Sequence, residues 1–325
     1  MNIGRALVPL SAVAGLAVLS ACTTAGAGEG DGRLKVTASF YPMQFLAEQI
    51  GGGYVDVTGL TKPGTEPHDV ELTPRQTGEL GESDLVVYLK GLQPAVDDAI
   101  ALSGVENTVD AATLTALEDH GTEVDGRHHT TGDDHPGHGG GVGSPTPEAR
   151  GAGADPHIWL DPVRYAEVAE GVGKALAKAD PGHEATYAKN TTALVEKLDA
   201  LDTDFENGLK NRTSDTFITT HAAFGYLAER YGLVEEAISG IDPESEPSAA
   251  RMRTLHTLVE DKGVSTVFFE TLASDRTART LAGDLGLRTA VLDPVEGITD
   301  KSAGRDYFAV QHSNLRALRT ALGAK

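Results

Sequence analysis

Three histidines of this chain lie in short polar segments that follow prolines or apolar runs. His157 stands in the segment DPHIWLDP, His68 follows Pro67 in GTEPHDVEL, and His221 comes directly after the run TFITT. Proline restricts the backbone of the residue that precedes it, so the two proline-rich turns should be stiff. Neutral imidazole is a good ligand for Zn, Cu, Ni and Fe and a poor one for Mg or Ca. These histidines therefore predict a transition-metal site.

A carboxylate can complete this set of ligands. Asp293 follows the apolar run RTAVL and precedes Pro294, in the same relation to its strand as His221. Three imidazoles and one carboxylate make a closed tetrahedral set suited to Zn²⁺. Glu66 is the alternative carboxylate ligand, and Glu270, at the end of the run STVFF, could also reach the site. Structural explanations stay open, because His221 or Asp293 could instead cap a helix.

A segment over 119–143 differs in composition from the rest of the chain. It is rich in Gly and Asp and carries five of the eleven histidines: His120, His128, His129, His135 and His138. With almost no apolar residues it cannot form a core, so we expect a flexible loop that collects metal with low affinity. The alternative is a solvated insertion without a metal role. His183, His256 and His312 are assigned to surface or core packing.

The N-terminal residues predict export and lipid anchoring. Arg5 precedes an apolar run over 6–19, which is typical of a signal peptide over 1–21. Cys22 is the only cysteine, which excludes an intrachain disulfide and a cysteine metal site. The segment LSAC, which ends at Cys22, resembles a bacterial lipobox, so Cys22 is the candidate lipidation site and 22–32 a flexible tether. The net charge of −21 makes nucleic acid an unlikely partner.

The elements that must position these residues alternate between apolar strands and amphipathic helices. This pattern predicts an α/β protein of two lobes, each with a mainly parallel sheet and flanking helices, over 33–180 and 211–325. One long amphipathic helix over 181–210 would join the lobes and limit their hinge motion. Ligands bind outside the carboxyl ends of parallel strands. We therefore expect His68, His157, His221 and Asp293 to meet in a cleft between the lobes.

The motifs together resemble those of a known family. LSAC, GTEPHDVEL, the histidine-rich loop, DPHIWLDP, THAAFGYLAERYGL and VLDPVEG are similar, in this order, to the metal-binding lipoproteins of zinc and manganese ABC importers, ZnuA-like and of the zinc type. The resemblance implies one metal ion between two lobes and delivery to a membrane permease with its ATPase, by a monomer on the outer face of the membrane. It matches His68, His157 and His221 to the ligands and Asp293 to the carboxylate position.

The resemblance also bears on the choice of ion and on rival functions. Manganese-type members typically have a carboxylate where this chain has His221, which favours Zn²⁺ over Mn²⁺. One alternative is a manganese or iron importer component or a surface adhesin of the same fold. Another is a zinc-dependent hydrolase, which would need an open metal position, and the chain has no HExxH motif. The expectation is a binding protein and not an enzyme.

Overall fold

The computed structural model describes residues 1, 32–120 and 154–325. The expected signal peptide, Cys22 and four of the loop histidines (His128, His129, His135 and His138) lie outside the described residues. From Arg33 onward, the described part of the chain forms one compact unit. None of the described helices is both long enough and apolar enough to cross a membrane.

The first lobe is built on a four-stranded parallel sheet in the order β2-β1-β3-β4. Its strands are β1 Leu34–Ala38, β2 Val55–Gly59, β3 Leu85–Tyr88 and β4 Thr108–Asp110, and its first helices are α1 Tyr41–Gly51, α2 Pro74–Leu80 and α3 Pro94–Ser103. The sequence had not predicted β4. This strand has three residues and one buried apolar side chain, Val109, so it shows no apolar run.

Two long helices follow the first sheet, α4 Pro162–Ala179 and α5 Glu184–Leu209. Asp161 caps α4 by accepting hydrogen bonds from the backbone N–H groups of Val163 and Arg164. The 26 residues of α5 span about 39 Å. Its buried stripe packs on α1 of the first lobe and on the final helix of the second, and consists of Tyr187, Leu194, Leu198, Leu201, Phe205 and Leu209. The predicted linker helix is confirmed.

The second lobe repeats the plan, with a parallel sheet in the order β6-β5-β7-β8. The strands are β5 Thr216–Thr219, β6 Val234–Ala237, β7 Thr266–Phe269 and β8 Arg288–Val291, and the helices are α6 Gly225–Arg230, α7 Ala249–Lys262, α8 Arg276–Leu285 and α9 Tyr307–Ala321. The two-lobe α/β fold is therefore confirmed. The exact domain boundaries stay predictions.

Hydrogen bonds between the lobes lie beside the expected site. The Trp159 indole N–H donates to the carbonyl of Pro294 at 2.6 Å, and the Tyr307 hydroxyl donates to the carbonyl of Trp159 at 2.6 Å. The Tyr226 hydroxyl donates to the carbonyl of Asp155 at 2.8 Å. All three bonds join the segment around His157 to the second lobe. The loops at the carboxyl ends of both sheets are thereby held against each other.

Candidate metal centre

Four side chains from four loops converge between the lobes. One donor atom from each of His68, His157, His221 and Glu296 lies within 4.8 Å of the other three. The Oε1 atom of Glu296 is 3.4 Å from His68 Nε2, 3.3 Å from His157 Nε2 and 3.8 Å from His221 Nε2. Zn–N and Zn–O bonds of about 2.0–2.1 Å place tetrahedral donors about 3.3 Å apart. The spacing fits one tetrahedrally coordinated ion.

The four donor atoms are buried and lack hydrogen-bond partners. Among the described residues, neither the three histidine Nε2 atoms nor Glu296 Oε1 has a hydrogen-bond partner. His157 and His221 are 0% exposed, and Glu296 is 1% exposed. An unpartnered buried polar atom costs about 1–3 kcal/mol, and four of them pointing at one position would be unfavourable without a ligand. A cation at that position would satisfy all four atoms.

Two further carboxylates fix the orientation of two of the three imidazoles. Asp155 Oδ1 lies 2.7 Å from His157 Nδ1, and Glu270 Oε1 lies 2.6 Å from His221 Nδ1. A neutral imidazole that donates from Nδ1 keeps its lone pair on Nε2, which is the atom that faces the cluster in both rings. Glu270 therefore contacts His221 at Nδ1 and leaves its Nε2 atom directed at the cluster.

The backbone around each histidine explains its position. The loop that carries His68 is held by Gln93, whose amide donates to the carbonyl of Pro67 at 3.1 Å and to Thr61 Oγ1 at 2.9 Å. His157 is followed by a single buried 3-10 turn, Ile158–Leu160. His221 lies directly after β5, where the chain turns before α6 begins. Each imidazole is therefore held by a segment with little freedom.

The ionisable groups of the cluster stabilise each other's charged forms. Burial would lower the pKa of His157, but the neighbouring carboxylates of Asp155 and Glu296 outweigh it and raise that pKa to about 10. Burial would likewise lower the pKa of His221, and Glu270 raises it. Burial would raise the pKa of Glu296, and the surrounding histidines lower it far below its usual range. Either protons or a metal ion can therefore balance the negative charge of the carboxylates around these rings.

The structure does not place Asp293, the expected carboxylate, in this group of four, which contains Glu296 instead. Its Oδ1 atom accepts from the backbone N–H of Val295 at 2.8 Å, and its Oδ2 accepts from Thr271 Oγ1 at 2.9 Å. Burial raises the pKa of Asp293 to about 6. Val295 adopts a positive φ of 59°, which reverses the chain, and Glu296 is the residue that reaches the histidines. Asp293 shapes this turn.

The alternative ligand Glu66 also lies outside the four-residue group. Its Oε2 atom accepts from the backbone N–H of Asp69 at 3.2 Å. Burial raises the pKa of Glu66, and the charge of nearby Glu296 raises it further, although His68 lowers it. The Oε1 atom of Glu66 is buried and has no hydrogen-bond partner among the described residues, which keeps Glu66 as the alternative carboxylate ligand.

The remaining histidines that the structure describes lie apart from the cluster. His183 Nδ1 is 2.6 Å from Asp180 Oδ2, and its ring stacks on Tyr54 with 3.9 Å between centroids. His312 lies half-exposed, 3.9 Å from Asp204. His120, the one described member of the histidine-rich set, contacts Asp155 and Glu229.

Sequence reasoning missed Glu296 as a member of the cluster. The segment VLDPVEG contains both carboxylates, three residues apart. Asp293 is nearer to the strand end, so the position relative to the strand favours it over Glu296. The Asp-Pro step is the signal that points to Glu296, because it favours a turn that places the following residues across the strand ends.

Comparisons with known proteins agree with this geometry. A model of the family described as zinc-uptake complex component A, periplasmic (ZnuA), matches residues 36–321. The chain is 36% identical over 89% of its length to a zinc-binding protein AdcA of Streptococcus pyogenes, but spans 56% of that protein. It is 32% identical to the high-affinity zinc uptake system protein ZnuA of Bacillus subtilis, over 96% of this chain and 98% of that one.

A solved structure shares the fold. The Zn(II)-bound ZnuA-like domain of Streptococcus pneumoniae AdcA superposes with a TM-score of 0.71 at 31% identity, covering 90% of this chain and 99% of that one. Together with the match to the family model over most of the chain, this similarity establishes the family. The chain belongs to the ZnuA family of zinc-uptake solute-binding proteins.

Proposed function

We propose that this chain is the zinc-binding component of an ABC metal importer, which captures Zn²⁺ between its lobes and delivers it to a membrane permease driven by an ATPase. The observation that carries the proposal is the set of four buried, unpartnered donor atoms from His68, His157, His221 and Glu296. The zinc-uptake relatives support the same function. Glu296 takes the fourth ligand position that the sequence had given to Asp293 or Glu66.

The donor set favours zinc over manganese. Three imidazole nitrogens and one carboxylate oxygen suit a borderline ion that accepts four ligands, whereas Mn²⁺ favours more oxygen. His221 is fixed as a nitrogen donor because Glu270 accepts its Nδ1 proton. Zn²⁺ is therefore the cargo in this proposal, and Mn²⁺ is the weaker competitor.

The same set argues against hydrolysis. A catalytic zinc site keeps one position open for water or substrate, whereas four protein ligands close the site. His157 and His221 are buried within the lobes, so a large substrate has no access to them. The curated relatives are named as zinc-binding or zinc-uptake proteins, which also disfavours an adhesin as the main function.

The cellular setting is part of the proposal. The lipobox-like segment before Cys22 supports a monomeric lipoprotein anchored at the outer face of the cell membrane. A relative from Streptococcus pneumoniae, 35% identical over 90% of this chain, is named a zinc-binding lipoprotein. The acylated N-terminus would keep the protein near its permease.

A zinc titration tests the function. The full-length chain should bind one Zn²⁺ tightly in competition with a chromophoric chelator, and Mn²⁺ at equal concentration should not displace it. His157→Ala should abolish this tight site, whereas the control His312→Ala, which removes a half-exposed histidine on α9, should leave it unchanged. Tight binding that survives His157→Ala, or preferential retention of Mn²⁺, would contradict the proposal.

A further inference from the structure

A buried asparagine of the last helix holds the turn that carries Glu296. Asn314 lies on α9 and is 2% exposed. Its Oδ1 accepts from the backbone N–H of Asp293 at 2.9 Å, and its Nδ2 donates to the carbonyl of Asp293 at 2.7 Å. Buried backbone groups need partners, and Asn314 supplies both of them at the residue that begins the turn. The amide therefore fixes Asp293 in position and in orientation.

The position of Glu296 depends on how Asp293 is held. The Asp293 carboxylate accepts from the backbone N–H of Val295 at 2.8 Å and from Thr271 Oγ1 at 2.9 Å. Val295 is fully buried and adopts a positive φ of 59°. Glu296 follows directly, and its Oε1 is one of the four unpartnered donor atoms. A shift of Asp293 would therefore be passed on to this oxygen through a short stretch of chain.

Hydrogen bonds lead from Asn314 along α9 to the neighbouring segment and back to the same turn. Its Nδ2 also lies 3.2 Å from Gln311 Oε1, and Gln311 Nε2 lies 3.4 Å from the Tyr307 hydroxyl. The Tyr307 hydroxyl donates to the carbonyl of Trp159, and the Trp159 indole donates to the carbonyl of Pro294. Pro294 lies in the turn itself, so the bonds close a ring. We call these five residues the polar ring.

The polar ring joins the segments of two ligands. Trp159 is two residues after His157, and Pro294 is two residues before Glu296. The Nε2 of His157 and the Oε1 of Glu296 lie 3.3 Å apart. A binding site functions only when its donor atoms stay within about 0.5 Å of the required geometry. By fixing both segments to α9, the polar ring maintains this separation.

The buried face of α9 carries polar side chains beside apolar ones. Leu315 and Leu318 are buried on this helix together with Gln311 and Asn314. Burying an amide costs free energy unless its polar atoms are paired. Both polar atoms of Asn314 have partners, and its two shortest bonds go to the backbone of Asp293. The asparagine therefore serves the turn and not only the packing of the helix.

We propose that Asn314 is a positioning residue for the fourth ligand of the metal centre, because it holds Asp293 so that Glu296 directs its free oxygen at the three imidazoles. The proposal rests on the function proposed above in that this ligand serves Zn²⁺. Asn314 pairs with the backbone of Asp293, whereas the four donor atoms have no hydrogen-bond partner among the described residues. Any effect of Asn314 on zinc affinity should therefore pass through the placement of Glu296.

A double-mutant cycle tests this route. Zinc affinity is measured for the full-length chain by competition with a chromophoric chelator, with and without Glu296→Gln. Asn314→Ala alone should weaken tight binding about tenfold, as expected for losing a group that orients a ligand. In the Glu296→Gln chain, the same change should weaken binding by less than about threefold, because two changes that act through one group are not additive. Equal losses in both chains would overturn the proposal.

Two variants separate positioning from a general loss of stability. Asn190→Ala also removes an amide that donates to a backbone carbonyl, that of Ile50 at 2.9 Å, and should leave zinc affinity unchanged. Asn314→Asp serves if Asn314→Ala does not fold. It keeps the size of the side chain and an acceptor for the Asp293 N–H but loses the donor, so it should also lower affinity. Unchanged affinity in Asn314→Asp, or an equal loss in Asn190→Ala, would contradict the proposal.

Crystal structures of the zinc-free chain, with and without Asn314→Asp, separate this proposal from the proposed function. The substitution should move Glu296 Oε1 by more than about 0.5 Å from its place beside His157 Nε2. If the unchanged chain binds no zinc tightly, the proposed function fails, and the movement of Glu296 still decides the role of Asn314. A Glu296 that keeps its position would overturn that role, whatever the zinc titrations give.

Discussion

At the scale of single residues, the buried site is defined by where each side chain places its free donor atom. The three Nε2 atoms and Glu296 Oε1 have no hydrogen-bond partner among the described residues, whereas both oxygens of Asp293 accept hydrogen bonds. A carboxylate that accepts two good hydrogen bonds is a structural element of its turn. A carboxylate with an unpartnered buried oxygen is available to an ion.

The two carboxylates can be distinguished by amide substitution. Glu296→Gln keeps the size of the side chain but removes its charge, so zinc affinity should fall by about 10–100-fold, the range expected for losing a charged partner. Asp293→Asn should lower affinity much less, because it affects the turn and not the ligand. Competition titrations with a chelator measure both. A larger loss in Asp293→Asn than in Glu296→Gln would return the ligand position to Asp293.

Glu296 also shows which part of the site could not be predicted from the sequence. The three histidines could be predicted because each follows a strand or a proline-rich turn that the sequence displays. The choice of Glu296 over Asp293 depends on the positive φ of Val295. A buried, β-branched residue rarely adopts this conformation, and no propensity predicts it there. Val295 is fully buried, so its conformation belongs to the tertiary structure and not to a local sequence pattern.

Proton release provides a second test at this scale. The pKa of His157, raised to about 10 in the metal-free chain, implies a protonated ring at neutral pH. Zinc binding must displace that proton, so affinity should rise with pH, about tenfold per unit for each proton, until the pH passes about 10. Calorimetry at pH 7.5 in buffers of different ionisation enthalpy should report at least one proton released per ion.

The same pKa predicts how the stability of the metal-free chain depends on pH. The raised pKa of His157 stabilises the folded state fully below about 6.5, and this contribution is lost as the pH rises through about 10. Zinc should remove much of that dependence, because the bound ring carries no proton to lose. In the calorimetry described above, an enthalpy of zinc binding that is the same in every buffer would show that no proton is released and would contradict the raised pKa of His157.

At the scale of elements, most strands and helices were predictable because their apolar runs are uninterrupted. One exception is β4, which is too short to show an apolar run, and another lies beside the site. Helix α6 begins at Gly225, three residues later than the expected Ala222, because 221–224 form the turn that presents His221. There the backbone N–H of Ala222 donates to the carbonyl of Gly240, and that of Phe224 donates to the Glu235 carboxylate. These partners are distant in sequence and could not be read from local patterns.

The loop that carries His68 leads to a prediction about zinc release. This loop is the most exposed of those that supply ligands, and Gln93 holds it through Pro67 and Thr61. Gln93→Ala removes both hydrogen bonds, at a cost of about 1–3 kcal/mol, and should let His68 leave the ion more often. Zinc release to excess chelator, followed by stopped flow, should accelerate about tenfold.

A matched control for this variant is Asn190→Ala. It removes an amide that donates to the carbonyl of Ile50 at 2.9 Å, in a region without site residues. Release from Asn190→Ala should equal that of the unchanged chain. If both variants accelerate release equally, the effect reflects general loosening of the fold and the loop is not the opening element.

At the scale of the whole molecule, the two lobes are joined by more than the ion. Helix α5 packs on α1 in the first lobe and on α9 in the second, so any hinge motion must bend or shift a 26-residue helix. The bonds from Trp159 to Pro294 and from Tyr307 to Trp159 cross the cleft without involving a ligand. These contacts therefore hold the lobes against each other independently of any ion.

We expect zinc capture to leave the overall shape nearly unchanged. The radius of gyration from small-angle X-ray scattering should differ by less than about 1 Å between the zinc-free and zinc-bound chain, because local loops and not whole lobes must move to admit an ion. Trp159→Phe, which removes the donor to Pro294 but keeps an aromatic ring, should loosen the metal-free form and make the two radii differ more. A large compaction of the unchanged chain on zinc binding would show that α5 and these bonds do not hold the lobes, and capture would then proceed by hinge closure.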